Sequence, residues 1–314
     1  MDQFLLNNSA INYILPLLSP NDVVRLSKTT KFLHTYINDD IWHILTHIKY
    51  SSLAIDKPKK MSWKQYYYEL WWSYTHPPII LKDGTKEWKL NGKLHRRADL
   101  PACILPKGQQ GWYQNGQLKR DGGRPNVVWA DGTNLWLHKE KLHSLNDDPT
   151  IVRADGTKKW CQNGLLHRGN DLPAIIDSKG SQFWCNRGYL HRDNDKPAII
   201  YADGTKCWVN KGRFHRDGDL PATTSPNCSK WYWYGLLHRN KDQPAVVGLD
   251  GTKIWYKKGK IHRKHDLPAR LDCFGTQYWY KNDQLHRNNG RPAIVTIDGR
   301  MEWWRKGEKY VPNL

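Results

Sequence analysis

The sequence is short of most features that announce an enzyme, a membrane protein or a secreted scaffold. No apolar run reaches the ~18–20 residues that a membrane helix needs. The opening Met1-Asp2-Gln3 lacks the basic region of a secretory signal. The six cysteines (103, 161, 185, 207, 228 and 273) show no Cys-x-x-Cys spacing. Disulfide frameworks and zinc sites need fixed spacings, so free thiols in a reducing, cytoplasmic compartment are expected. There is no phosphate-binding Gly-x-x-x-x-Gly-Lys loop, no Gly-x-Ser-x-Gly and no His-Glu-x-x-His. Leu, Ile and Val are sparse in the second half, and no helical periodicity of any length follows residue 82. A thick aliphatic core is therefore excluded for most of the chain.

What is abundant is tryptophan, 17 residues of 314, with 16 tyrosines and a formal net charge of +19. Large flat rings suit thin sheets better than deep cores. Residues 1–78 hold 8 Lys and Arg against 6 Asp and Glu, so nearly all of the excess lies beyond them. A basic array suits an acidic partner such as nucleic acid, anionic lipid or acidic protein. It equally suits an exposed sheet whose edges are guarded by long cationic side chains.

The tryptophans are periodic. They recur at 88, 112, 136, 160, 184, 208, 231, 255, 279 and 303, every step being 24 except the 23 between Trp208 and Trp231. Histidine follows by seven in eight units, and proline by thirteen in nine, from Pro101 to Pro292. The unit reads W-x-x-x-G-x-L-H-R-x-x-D-x-P-A-I-I-x-x-D-G-T-x-x. The missing residue falls between Pro221 and Trp231, where Ser225-Pro226-Asn227-Cys228 replaces Asp-Gly. Asp-Gly, as at 203–204, and Asn-Gly, as at 163–164, supply positive φ angles for tight turns. Ala198–Tyr201 and Lys206–Val209 exemplify the short strands between them. Proline, without an amide donor, belongs in a loop or at a strand start.

The spacing thus predicts an antiparallel meander of about nine repeats over 79–311, in which no unit stands alone. Two strands per repeat at ~4.8 Å give an elongated body of roughly 90 Å. A third strand through Leu-His-Arg is left open. Equivalent histidines would lie ~10 Å apart, too far to share one ion. His191 with Asp195 is read as one orienting pair before Pro197. No metal, cofactor or catalytic residue is expected. Arg168, Arg192, Arg216, Arg239 and Arg263, with Arg96 and Arg287, form one file if the units superpose. They are the candidate target-binding residues, or else they stack on a neighbouring unit's Trp.

Residues 1–50 read as a helical head, and 51–78 as a linker with a helix packing on the array. Ser19-Pro20-Asn21-Asp22 is a helix start, with Ser at the N-cap and Pro in the first turn. Val23, Val24 and Leu26 follow on its apolar face, and Phe32, Leu33, Tyr36 and Ile37 continue a second helix. Asn38-Asp39-Asp40 caps Ile41–Leu45. Ser62 opens a helix with Trp63, Tyr66, Tyr67, Leu70, Trp71 and Tyr74 as its stripe. Pro16 should bend or split any helix running through Leu15.

The repeat resembles a divergent MORN repeat, with Trp, Gly-x-Leu-His-Arg and Pro-Ala where ordinary units use Tyr-x-Gly. The head resembles an F-box through Leu6, Ile14-Leu15, Leu17-Leu18-Ser19-Pro20, Asp22-Val23, Arg25-Leu26-Ser27, Lys31-Phe32 and Asp40-Ile41-Trp42. Such pairings are found in proteins of large nucleocytoplasmic DNA viruses. The resemblance implies an α+β protein without enzymatic activity. It would be a monomer in the host cytoplasm or the virion, linking a target to a cullin–RING ubiquitin ligase. Leu15, Leu18, Pro20, Asp22, Val23, Leu26 and Trp42 are by resemblance the residues that meet a Skp-type adaptor. The alternative reading is a structural or polyanion-associated repeat protein.

Overall fold

The computed structural model of the chain describes residues 14–30, 37–143 and 147–312. They form an α+β protein, a helical head followed by an antiparallel β-meander. The chain divides into two compact units. The first runs to His143 and takes in Thr150–Ala154, and the second holds the remainder. Among the described residues no helix is long and apolar enough to cross a membrane.

The head contains helices α1 (Pro20–Ser27), α2 (Asp39–Tyr50) and α3 (Trp63–Thr75). Each starts on the side chain expected from the sequence. Ser19 accepts from the Asp22 amide, Asn38 from those of Asp40 and Ile41, and Ser62 from that of Gln65. Leu15–Leu17, with Pro16 at its centre, is only a 3-10 turn, as the missing proline donor requires. Residues 31–36, with Phe32, Leu33 and Tyr36, lie outside the described residues, as does Leu6. The core joins Leu15, Val23, Ile37, Ile41, Trp42, Leu45 and Tyr67, with the Trp42 and Tyr67 rings 5.4 Å apart.

Helix α3 departs from its expected single stripe. Tyr74 is exposed, whereas Trp72, Ser73 and Glu69 are buried. A second face of α3 meets the first repeat, and Glu69 is tolerated there because Arg97 of that repeat pairs with it.

Each repeat supplies four strands of about two residues, more than the two or three that the spacing suggested. Ile199–Ile200 pairs with Lys206–Cys207, which pairs with Thr223–Thr224, continuing the main ladder. Val209–Asn210 pairs instead with Arg213–Phe214 in a separate hairpin. The strand written as Lys206–Val209 therefore breaks at Trp208. Its N–H donates to Ala222 in the main ladder, and its carbonyl accepts from His215 to close the hairpin. Successive hairpins are linked by single bonds, such as Gly212 N–H to Leu190 O and Gly235 N–H to Phe214 O.

The two turn types differ in chemistry. In the hairpin, Lys211 and Gly212 both have positive φ (46° and 79°), a type I′ turn. At Asp203-Gly204 only the glycine does (83°). There Gly204 N–H bonds Tyr201 O, and the Asp203 carboxylate accepts from Thr205 N–H, giving a type I turn closed by a left-handed glycine. The expectation of positive φ at both Asp and Gly is corrected accordingly. The 23-residue unit absorbs its deletion in this turn. Thr224 pairs with Ser229 across a shorter connection, and Ser225 Oγ accepts from Cys228 N–H.

Pro197 lies in the loop, and the Ala198 that follows is fully buried, as are Ala102, Ala174, Ala222, Ala245, Ala269 and Ala293. Thr150 and Asn126 take the same buried position in two other repeats, so a small side chain after the proline recurs for packing.

Candidate interaction surfaces

The indole, guanidinium and carboxylate of the repeat form one structural motif. Trp184 Nε1 donates to Asp171 O at 2.9 Å, and Trp208 Nε1 to Asp195 O at 2.9 Å. The carbonyl belongs to a residue held at positive φ (55° for Asp171, 51° for Asp195), a conformation costly for a non-glycine residue. The indole bond is one of the contacts that hold it. Arg192 then lies flat on Trp184, its Cζ 3.8 Å from the ring centroid. Its Nε and Nη2 reach the two oxygens of Asp171 at 2.7 and 3.0 Å. Arg216 treats Trp208 and Asp195 in the same way. Each arginine therefore covers its own repeat's Trp rather than a neighbour's, and the aspartate it grips comes from the preceding repeat.

The predicted target-binding file is accounted for by this motif. Arg168, Arg192, Arg216, Arg239 and Arg263 each hold a carboxylate at 2.7–2.9 Å. Arg120, which has Lys119 before it in place of His, does likewise with Asp99. A phosphate approaching these arginines would have to displace an aspartate already bound to them, and the side chains are only 14–17% exposed.

The guanidinium beside each of Asp147, Asp171, Asp195, Asp219 and Asp266 holds its carboxyl below the usual carboxylate range. At Asp99 burial would raise it, but Arg120 and Arg124 outweigh that. The folded pKa is depressed, so the stabilisation is complete above the unfolded value near 4 and is lost as pH falls through the folded one. Each exposed pair contributes only ~0.2–1 kcal/mol. Their repetition should nevertheless lower the thermal midpoint between about pH 4 and pH 2. Melts followed by far-UV circular dichroism check this, and an unchanged midpoint would mean that ring packing alone holds the repeats.

The histidines do not converge. His191 Nε2 meets Asp193 Oδ1 at 3.0 Å, His215 meets Asp217 at 3.1 Å, and His238 and His286 meet Asn240 and Asn288. The partner lies two residues on, which corrects the pairing of His191 with Asp195. The latter is bound to Arg216. Among the described residues no three His, Cys, Asp or Glu side chains are grouped to hold a metal. Cys161, Cys185 and Cys207 are buried beside the ladder tryptophans, and burial pushes the Cys185 thiol up to about 11.

In the head, the seven residues expected at an adaptor interface take different positions. Leu15, Pro20, Val23 and Trp42 are buried, and Leu18 and Leu26 pack against the same core. Asp22 receives the Ser19 hydroxyl at 2.6 Å and so completes the start of α1. Among the apolar groups offered to solvent are Ile14 and Leu17, 55% and 83% exposed, with Ile44 and Ile48 of α2 also exposed. A groove of about 310 Å³ lies beside α1, between Pro20, Val24, Trp42 and Tyr68. Ile14 and Leu17 were named among the residues that match an F-box but not among the expected interface residues, because a 3-10 turn has no periodic face to read.

One cluster escaped the sequence reading altogether. Where α3 meets the first repeat, Arg97 Nε donates to Glu69 Oε2 at 2.6 Å, and His95 Nε2 stands 3.5 Å from the same oxygen. All three side chains are buried. Burial would raise the Glu69 carboxyl, but His95 and the Arg97 charge outweigh it and hold it below its usual range. Arg97 N–H also donates to Ser73 Oγ, and Trp88 Nε1 to His76 O. The available signal was that Arg97 follows Arg96 where later repeats carry another residue. Compared with protein-family models and with curated proteins, the sequence matches none.

Proposed function

We propose that the chain is a substrate-recruiting adaptor of a cullin–RING ubiquitin ligase. The head would engage a Skp-type adaptor subunit and the repeats would hold a target protein. The observation that carries this reading is the exposure of Ile14 and Leu17 in a head that also holds a groove lined by Pro20, Val24 and Trp42. These apolar side chains lie in the segment that resembles an F-box, and burying them on a partner would be favourable by ~25 cal/mol per Å². The rest of the chain supports a scaffold: its repeated polar groups pair with one another, whereas a catalytic site needs a single convergent constellation. The arginines' pairing with aspartate counts against the polyanion reading of the same file.

Co-purification of the full chain with a Skp-type subunit tests the proposal. Ile14→Asp with Leu17→Asp should reduce capture about tenfold or more, the loss of two interface anchors. Leu15, Val23 and Trp42 are unsuitable probes, since their replacement would empty the head's core. Absence of any complex with the unaltered chain would overturn the proposal.

A further inference from the structure

On the loop side of each repeat in the second unit, arginine is matched by aspartate. The hairpins on the other side of each Trp are not balanced in this way. The five hairpins between Cys161 and Ile261 carry Arg187, Lys211, Arg213, Lys257, Lys258 and Lys260 and no Asp or Glu. All six cations are exposed, and none belongs to an ion pair among the described residues. Most of the net positive charge of this stretch therefore sits on the hairpin edge.

The same edge presents apolar groups in register. A methyl added to Gly188 would touch Leu165 at 3.7 Å, one on Gly212 would touch Tyr189 at 4.0 Å, and one on Gly259 would touch Leu236 at 3.3 Å. Each side chain thus lies over the glycine of the next hairpin. With Arg213 over Gly235, these residues make a file over successive repeats. Tyr189 is 64% exposed, and Leu165 and Leu236 are each 52% exposed. The turn at 233–234 is exceptional. Where other repeats place Asn163, Arg187, Lys211 or Lys258, this one carries Tyr234, preceded by Trp233. Tyr234 is stacked on His215 at 4.2 Å with 10° between the planes. Trp233 stands edge-on to both rings, at 5.1 and 5.3 Å. Both remain about half exposed, so the cluster is held in place and still open to a partner.

We propose that this hairpin edge docks an extended, acidic polypeptide segment that seats an apolar side chain on Trp233 and Tyr234. Fixed Trp, Tyr and Arg side chains are the groups that dominate protein recognition, and the lone cations select carboxylates and raise the association rate. Three repeat steps of two strands each cover roughly 30 Å, or about nine residues of extended chain. Single-stranded nucleic acid would satisfy the cations equally. It would also need open ring faces on which to stack, whereas one face of Tyr234 is covered by His215 and two of the anchors are leucines. A second copy of the same edge would bring like charges together. The proposal rests on the reading of the repeats as the target-holding part, and names the chemistry of the target.

The test selects short random peptides by display on the full chain, with oligothymidylate binding measured in parallel. Selected peptides should be net acidic with an aliphatic or aromatic residue near the centre, and their binding should weaken with salt. Trp233→Ala with Tyr234→Ala should weaken them about tenfold or more, and so should Lys211→Glu with Arg213→Glu, both with unchanged far-UV circular dichroism. Peptides without acidic bias, equal binding by the variants, or capture of oligothymidylate in place of peptide would each overturn the proposal. Adaptor capture by the same proteins separates the two readings. Loss of peptide with the adaptor retained sinks the docking edge alone, and peptide binding without any adaptor sinks the ligase assignment alone.

Discussion

Arg97→Ala is expected to destabilise the junction between α3 and the first repeat by about 3–5 kcal/mol, the usual cost of breaking a buried ion pair from one side. Glu69 and Arg97 are only 4% and 6% exposed, and His95 is fully buried. Removing the guanidinium leaves the carboxylate with only the neutral Gln65 amide at 3.3 Å and the His95 ring at 3.5 Å. It also leaves Gln114 without the donor that reaches it at 3.1 Å. Lysine should not restore the junction, because one ammonium cannot supply both the Nε bond to Glu69 and the Nη1 bond to Gln114 with a planar fork's geometry. The double replacement Glu69→Ala with Arg97→Ala should cost less than the two single ones summed, since no charge is then left stranded. Urea unfolding of the full chain, with hydrogen exchange over Trp63–Thr75, measures this. A loss under about 1 kcal/mol would place the pair in the class of solvent-screened bridges.

Trp208→Ala is expected to cost about 3–5 kcal/mol, as for other buried tryptophans. The ring is buried, donates to Asp195 O and lies under Arg216. Its removal opens a cavity and leaves the Asp195 carbonyl unpaired, while Arg216 loses its stacking surface. Arg216→Ala should cost far less, about 1–2 kcal/mol, because a partly exposed ion pair and a cation–π contact contribute ~0.2–1 and ~0.5–1 kcal/mol. The ranking matters more than either value. It says that the ring holds each repeat and the guanidinium seals it. In a repeat array the loss should be felt most by the neighbouring units, so protection from hydrogen exchange should fall around Ala198–Asp219 first. Equal costs for the two variants would mean that the ion pair, and not the indole, carries the repeat.

Much of this architecture was legible because repetition averages out local ambiguity. One Asp-Gly is a weak signal, but its return at a fixed offset from Trp identifies a turn wherever it occurs. The three helix caps at Ser19, Asn38 and Ser62 were equally readable, since capping is decided within four residues. The strand through Lys206–Val209 was misread for a physical reason. A short run holding Cys207, Trp208 and Val209 looks continuous, yet Trp208 gives its N–H to one ladder and its carbonyl to another, which no local propensity encodes. The stripe of α3 was incomplete because Glu69 is buried only in the company of Arg97, and that partner lies 28 residues on.

The candidate surfaces divide along the same line. Spacing showed that arginines share a position, and the choice between open surface and internal seal depended on aspartates 20 or 21 residues away in the preceding repeat. The residues of the head that match an F-box were identifiable by order, but which of them face solvent depends on how three helices close around Val23 and Trp42. By itself the sequence determined the period, the turns, the helix starts and the excess of positive charge, all of which depend on neighbours along the chain. Only the tertiary structure decided which charges are neutralised, which rings are covered and where the ladder changes partner. Those outcomes depend on groups brought together by stacking one repeat on the next.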